Sequence, residues 1–328
     1  MKNILRSINS KYQKYFSNFG LFKIKLNKII NSILFRNLIK LNNVFEKDFL
    51  DLKNNFNHNQ ISCFIKSLDQ LEKNGYTIMK LSDFNLRKDL SIKKFLIELS
   101  KNYEHMSYEE VKNENLKQFK TKSFWKELYK SNFNYQKYNS EDPIQELILN
   151  EALNKIAFKY LKRQFFVQEI NFYFSPKRKI KARNNALIGS QGWHLDLNWD
   201  SQLKIFYSPF SMNSDCGPTT IYPAQLSSKL EYPNYPGYFN DLEAKEAGFD
   251  FKNIISMSTS PEEIFIADTS RCFHYGSRDA IKNRFLLIIA LAPIPYNLSP
   301  YFIRKLLKSD FNFEYLNTEI RKSNIFGQ

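Results

Sequence analysis

The chain has 328 residues, 43% hydrophobic and 16% aromatic, with a formal net charge of +15. That length and apolar content allow a sizeable core and exclude a disordered chain. Three cysteines, Cys63, Cys216 and Cys272, provide no disulfide framework, which fits a reducing compartment, and the expected location is cytoplasmic.

No apolar run reaches the length of a membrane span, and no apolar stretch followed by small residues marks a secretory signal. The positive charge raises nucleic acid as a partner, but no helix-turn-helix, zinc finger or RNA-binding motif accompanies it. A chain this rich in Lys, Asn, Ile and Phe carries such charge through composition alone, which is the preferred reading. A small anionic substrate, such as a thioester, a phosphate or a charged sugar, is the intermediate one.

In chain order, residues 1–60 read as a basic helical extension. Lys2, Arg6, Lys11, Lys14, Lys23, Lys25, Lys28, Arg36 and Lys40 precede the first acid, Glu46. Leucines and isoleucines from Leu21 to Leu41 recur at helical spacing. Such a segment either packs its apolar face on the rest of the chain, the preferred reading, or lies on an anionic membrane surface. Glu46 to Gln60 reads as a polar linker, with His58 in a polar loop.

Ile61 to Asn74 spaces Ile61, Ile65, Leu68 and Leu71 on one helical face, with Gly75 placed to end it. Tyr76 to Leu81 reads as a strand. The pieces SIKKFLIELS and SFWKELYK read as helices, and His105 lies in a polar stretch. Asp142-Pro143 opens a helix whose apolar face runs from Ile144 to Tyr160. Phe166 to Ser175 alternates as a strand. From Leu187 the chain turns to β: Leu203–Ser208, Thr219–Tyr222, Ile264–Ala267, Cys272–Tyr275 and Arg284–Leu291. Asn213 to Pro218 is a turn cluster, and Ser227 to Lys252 a long polar excursion over a site mouth. Residues 296–328 form a helical tail.

Chemistry concentrates in Gln191 to Asp200, QGWHLDLNWD. In a strand, His194 and Asp196 point to one face. An imidazole and a carboxylate are two thirds of the facial triad that holds non-haem Fe(II) with open positions. The chain's other histidines are His58, His105 and His274. His274 lies in a strand pair, and Arg284 opens the apolar strand that follows.

This HxD, His, Arg order resembles the Fe(II)/2-oxoglutarate-dependent dioxygenases, and within them the phytanoyl-CoA dioxygenase-like family. Four flanking segments carry the narrower resemblance in the same order: LDQLEKNGYTIMKL, NEALNKIAFKYLKRQFFVQEINFYF, LKIFYSPFSMNSDCGPTTIYPAQLSSK and EEIFIADTSRCFHYGS. The resemblance spans residues 61–295. It implies an α+β fold: a double-stranded β-helix (a cupin-like jelly roll) buttressed by N-terminal helices.

It further implies Fe(II) held by His194, Asp196 and His274, with 2-oxoglutarate as cosubstrate and O2 as oxidant. Arg284 would clamp the distal carboxylate of 2-oxoglutarate through its planar fork. The implied outcome is hydroxylation of a C–H bond in a small-molecule or acyl substrate. Ser277, Asn171 and Tyr173 are candidates for hydrogen bonds to the cosubstrate. Gln191, Trp193 and Trp199 are candidates toward the substrate, the two tryptophans being equally readable as core. Lys204 and Thr220 are weaker candidates.

Two positions depart from the family pattern. Gly276 stands where a small hydroxyl residue is usual, with Ser277 one later, and Ala224 to Ser228 replaces a Gly-Ser-His continuation. The retained Asp196 speaks against halogenation. Two other classes remain: a cupin-like metal-dependent hydrolase or isomerase, which leaves Arg284 without a role, and a non-catalytic binding protein on the same barrel, against which the intact triad argues.

Overall fold

The structure is a computed structural model. It describes residues 52, 55–86, 91–119, 125–130, 141–162, 165–177, 187, 189–196, 201–230, 237–278 and 280–293. The basic segment up to Leu41, the C-terminal tail and Trp199 lie outside the described residues.

The first helix, α1 (His58–Asn74), starts three residues earlier than its apolar spacing alone suggests. Asn57 caps it, accepting from the Gln60 backbone, and the Gln60 side chain answers the Asn57 N–H, a reciprocal capping box. His58 is therefore helical, not in a loop. Ile61, Phe64, Leu68 and Leu71 form the buried face. Gly75 ends the helix at φ +81°, where a Cβ would fall 2.5 Å from Cys272 Sγ and 2.7 Å from Ala224 Cβ. That contact seats the helix end against the turn before the distal histidine.

Strand β1 (Tyr76–Lys80) follows, then α2 (Ile92–Ser100), α3 (Tyr108–Phe119) and β2 (Lys126–Lys130). The helix expected over SFWKELYK is instead this strand: its residues pair antiparallel with β3 (Phe165–Ser175), with a register shift between Glu127 and Tyr129. The single helix expected after Asp142 is two, α4 (Pro143–Ile148) and α5 (Glu151–Leu161). Asn150 interrupts them because its side chain accepts from Ala152 and Leu153, capping the second.

Next come β4 (Leu203–Tyr207), β5 (Thr220–Tyr222), α6 (Ala224–Ser227), α7 (Asp241–Glu246), β6 (Ile255–Ser256), β7 (Glu263–Asp268), β8 (Phe273–Tyr275) and β9 (Arg284–Pro293). The excursion from Ser227 to Lys252 thus contains a helix, α7, capped by Asn240 with Glu243.

Two antiparallel sheets result. The larger has order β1-β7-β4-β9-β3-β2, the smaller β6-β5-β8. Period two decides what each face does. Leu203, Ile205, Ile264, Ile266, Leu287 and Ile289 join a core with Leu68 and Leu71 of α1, Leu96 of α2 and Ile156 of α5. The alternate residues Phe206, Phe265, Ala267 and Leu286 pack with Ile221, Met257 and Cys272 from the smaller sheet side. Burying each such side chain is worth roughly 1.5–3 kcal/mol. With both faces covered, β9 reads as a near-continuous apolar run, broken by Arg284 at its start. The described residues therefore form a mixed helix and antiparallel-sheet fold, and the inter-sheet face of the larger sheet is where chemistry can sit.

Candidate metal centre

The described part of the QGWHLDLNWD stretch, Gln191 to Asp196, expected as a regular strand, is held by isolated bridges: Trp193 to Phe239, and His194 to His274. The second bridge builds the site. His194 N–H donates to His274 O at 2.9 Å, and His274 N–H to His194 O at 2.9 Å. Directly opposed residues of an antiparallel pair send their side chains to one face. The two imidazoles accordingly lie with ring centroids 4.1 Å apart. Asp196 N–H donates to Thr269 O at 3.0 Å, bringing the carboxylate to the same place.

His194, Asp196 and His274 each offer a ligand atom within 4.8 Å of the others. Their hydrogen bonds suit a cation. His194 Nδ1 lies 2.8 Å from Gly192 O and His274 Nδ1 lies 3.1 Å from Cys272 O. A carbonyl only accepts, so each Nδ1 carries the proton and each Nε2 keeps its lone pair. Burial holds both imidazoles in the neutral form: it lowers His194, and with His194 beside it His274 falls to about 3. Burial works to raise Asp196, but His274 and Lys204 outweigh it and hold the carboxyl below its usual range. With His274 neutral at pH 7, Lys204 is the cation that matters. Two neutral nitrogens and one carboxylate at this spacing are a donor set that fits a divalent metal ion.

Arg284 is 8% exposed and sits on the inter-sheet face with Leu286. Its Nη1 donates to Gly217 O at 3.1 Å, while Nε is buried without a hydrogen-bond partner. No carboxylate lies within ion-pair distance among the described residues, and burial pulls its pKa down to about 10. A buried guanidinium without an acid is costly, and its open donor is the feature an anionic ligand would satisfy. Gly217 has φ +60°, and a Cβ there would meet Arg278 O at 2.4 Å and Ser277 Oγ at 3.0 Å. Ser277, buried, therefore stands beside the turn that Arg284 grips. Gln191 Nε2 donates to Ser277 O at 2.9 Å.

Asn171 and Tyr173 turn toward each other. Asn171 Nδ2 donates to Glu169 Oε1 and to Tyr173 Oη, each at 2.5 Å, and Tyr173 Oη donates to Glu169 Oε1 at 2.9 Å. Asn171 Oδ1 is left buried with no partner. Glu169 escaped the sequence reading although it shares their face by period two. Trp193, weighed between pocket and core, is fully buried against Phe249, Phe251 and Tyr275. Its Nε1 donates to Asp241 Oδ1 at 2.8 Å, which also receives Arg278 Nη1 at 2.7 Å. These bonds dock α7 beside the metal motif and leave Tyr238, 53% exposed, with its ring 4.9 Å from that of His194. Arg278, Asp241 and Tyr238 had no periodic signal. Thr220 bonds within its own turn, to Pro218 O at 3.3 Å.

No protein-family model matches the sequence, and no curated protein matches it. Solved structures share part of its chain path. The epimerase SnoN, in complex with Fe3+, alpha ketoglutarate and nogalamycin RO, is 9% identical over 71% of this chain and 84% of its own, with TM-score 0.43. EctD from S. alaskensis, with 2-oxoglutarate and 5-hydroxyectoine, is 11% identical over 72% of this chain and 78% of its own, with TM-score 0.44. EvdO2 from Micromonospora carbonacea var. aurantiaca, complexed with 2-oxoglutarate, is 12% identical over 72% of this chain and 94% of its own, with TM-score 0.41. Likeness at this level assigns no role to any residue here.

Proposed function

We propose that the protein is an Fe(II)- and 2-oxoglutarate-dependent oxygenase of the phytanoyl-CoA dioxygenase-like kind. The reaction would insert one oxygen atom of O2 into a C–H bond of a small-molecule or acyl substrate. The other atom would go into succinate as 2-oxoglutarate loses CO2. One observation carries this reading: two neutral histidines and a carboxylate lie in the same fold as a buried guanidinium with no acid at ion-pair distance among the described residues. A metal hydrolase would need the first feature and leave the second unexplained.

When bound, Fe(II) with 2-oxoglutarate supplies the oxidising chemistry. The chain's part is to hold and to orient. His194 and His274 would present Nε2, and Asp196 a carboxylate oxygen, from two segments locked by one backbone bridge. Arg284 would take the distal carboxylate of 2-oxoglutarate, its fork giving two charge-assisted bonds. Ser277, behind Gly217, would fix the turn that aims it.

The two sheets packed about Phe206, Phe265 and Ile221 support a jelly roll as the architecture. Three unpaired cysteines support a cytoplasmic setting. No helix among the described residues is long and apolar enough to cross a membrane. A small substrate bearing an anionic group suits the basic chain; nucleic acid is not proposed.

Titration calorimetry with Mn(II) standing in for Fe(II) tests the reading. The metal-loaded protein is expected to bind one 2-oxoglutarate, and Arg284→Ala to weaken that binding far more than it weakens Mn(II). Equal losses, or 2-oxoglutarate binding that ignores the metal, would sink it.

A further inference from the structure

Lys204 stands in β4 opposite Ala267 of β7 and Ala290 of β9. Both neighbours are small and fully buried, so the lysine stem has room to cross the inter-sheet face. Its Nζ ends 2.7 Å from Asp196 Oδ2, with the lysine side chain 17% exposed. The same oxygen lies 3.6 Å from His274 Nε2. It is therefore the carboxylate atom turned toward the His274 imidazole, the one a shared cation would meet. Asp196 is the acid within ion-pair distance of Lys204 among the described residues. Glu169 shares its row, one strand beyond Ala290, and is engaged by Asn171 and Tyr173.

We propose that Lys204 is a resident competitor for the metal site: its ammonium holds Asp196 Oδ2 in the metal-free chain and must give way for a divalent ion to bind. The inference rests on the metal reading above. A largely covered carboxylate beside neutral imidazoles would otherwise carry an uncompensated charge. Lys204 neutralises it and keeps the ligand folded inward. The consequence is a weakened affinity, because the incoming ion must displace an ion pair, in which Asp196 Oδ2 makes no well-aligned hydrogen bond, and then sit near an ammonium. Lys204 is a positioning residue in this account, acting through Asp196.

The test is Mn(II) binding by calorimetry and by the electron paramagnetic signal of free Mn(II), with no turnover involved. Lys204→Met keeps the stem and removes the charge. It is expected to bind Mn(II) on the order of tenfold more tightly than the natural chain, once the competing ion pair and the nearby positive charge are gone. Lys204→Arg keeps the charge and is expected to stay near the natural affinity. Unchanged or weaker binding in Lys204→Met, in protein whose circular dichroism matches the natural chain, would overturn the role of Lys204 alone. His194→Ala separates the two claims: if it binds Mn(II) as well as the natural chain does, both the metal site and the competitor are refuted.

Discussion

Arg284 should be a liability to the ligand-free fold. Its guanidinium is drawn by burial from the ordinary arginine range down to about 10, which at about 1.4 kcal/mol per tenfold corresponds to a cost of roughly 3 kcal/mol. The sign follows from proton counts. Between about 10 and the ordinary arginine range the unfolded chain binds the proton that the folded chain releases, so stability rises with pH across that window. At pH 7 the full cost is present. Arg284→Met removes the charge, keeps the length and forfeits one hydrogen bond to Gly217 O, worth about 1 kcal/mol. The expected net gain is about 2 kcal/mol, or a Tm rise of about 3 °C in a chain of 328 residues. Thermal unfolding should be followed by circular dichroism, metal-free and then with Mn(II) and 2-oxoglutarate. The variant should melt higher than the natural chain without ligand and lose the further rise that 2-oxoglutarate gives. A lower metal-free Tm, or an intact 2-oxoglutarate response, would refute the reasoning.

Further expectations rest on single contacts. Tyr160→Phe deletes the donor to buried Asp268 Oδ2 at 2.6 Å and the acceptor of Arg271 Nη1 at 2.7 Å; urea unfolding should show a loss of about 1–3 kcal/mol. Gly75→Ala places a Cβ 2.5 Å from Cys272 Sγ at φ +81°, and its urea midpoint should fall by more than that of Tyr160→Phe; an unchanged midpoint would contradict the close approach. His274 is held neutral down to about 3 against 6.5 when free, so the unfolded chain binds the extra proton between those values. Stability should fall as pH drops below 6.5 toward 3, and His274→Leu should flatten that slope in a pH series of unfolding curves.

The apolar pattern made β9 legible because both of its faces are covered, and the Asp142-Pro143 start of α4 because capping is local. β2 misled because KELYK mixes charge and apolar residues at helical spacing, and only pairing with β3 makes it a strand. The break at Asn150 and the Asn240–Glu243 box of α7 were both written in the chain, as side chains able to cap a new helix. In the site, the triad stood out because few residue types at a given spacing serve a metal. Lys204 was legible only as a weaker candidate toward cosubstrate or substrate, being one of 48 Lys and Arg, and only the register against two alanines sends it to Asp196. Arg278 and Asp241 meet through tertiary docking of α7, which no local pattern foretells.

The most direct test of the centre itself is an anaerobic difference spectrum of the protein with Fe(II) and 2-oxoglutarate. A visible charge-transfer band is expected in the natural chain and should vanish in both His194→Ala and His274→Ala. No band in the natural chain, or a band that survives both substitutions, would contradict the placement of iron and cosubstrate at these side chains.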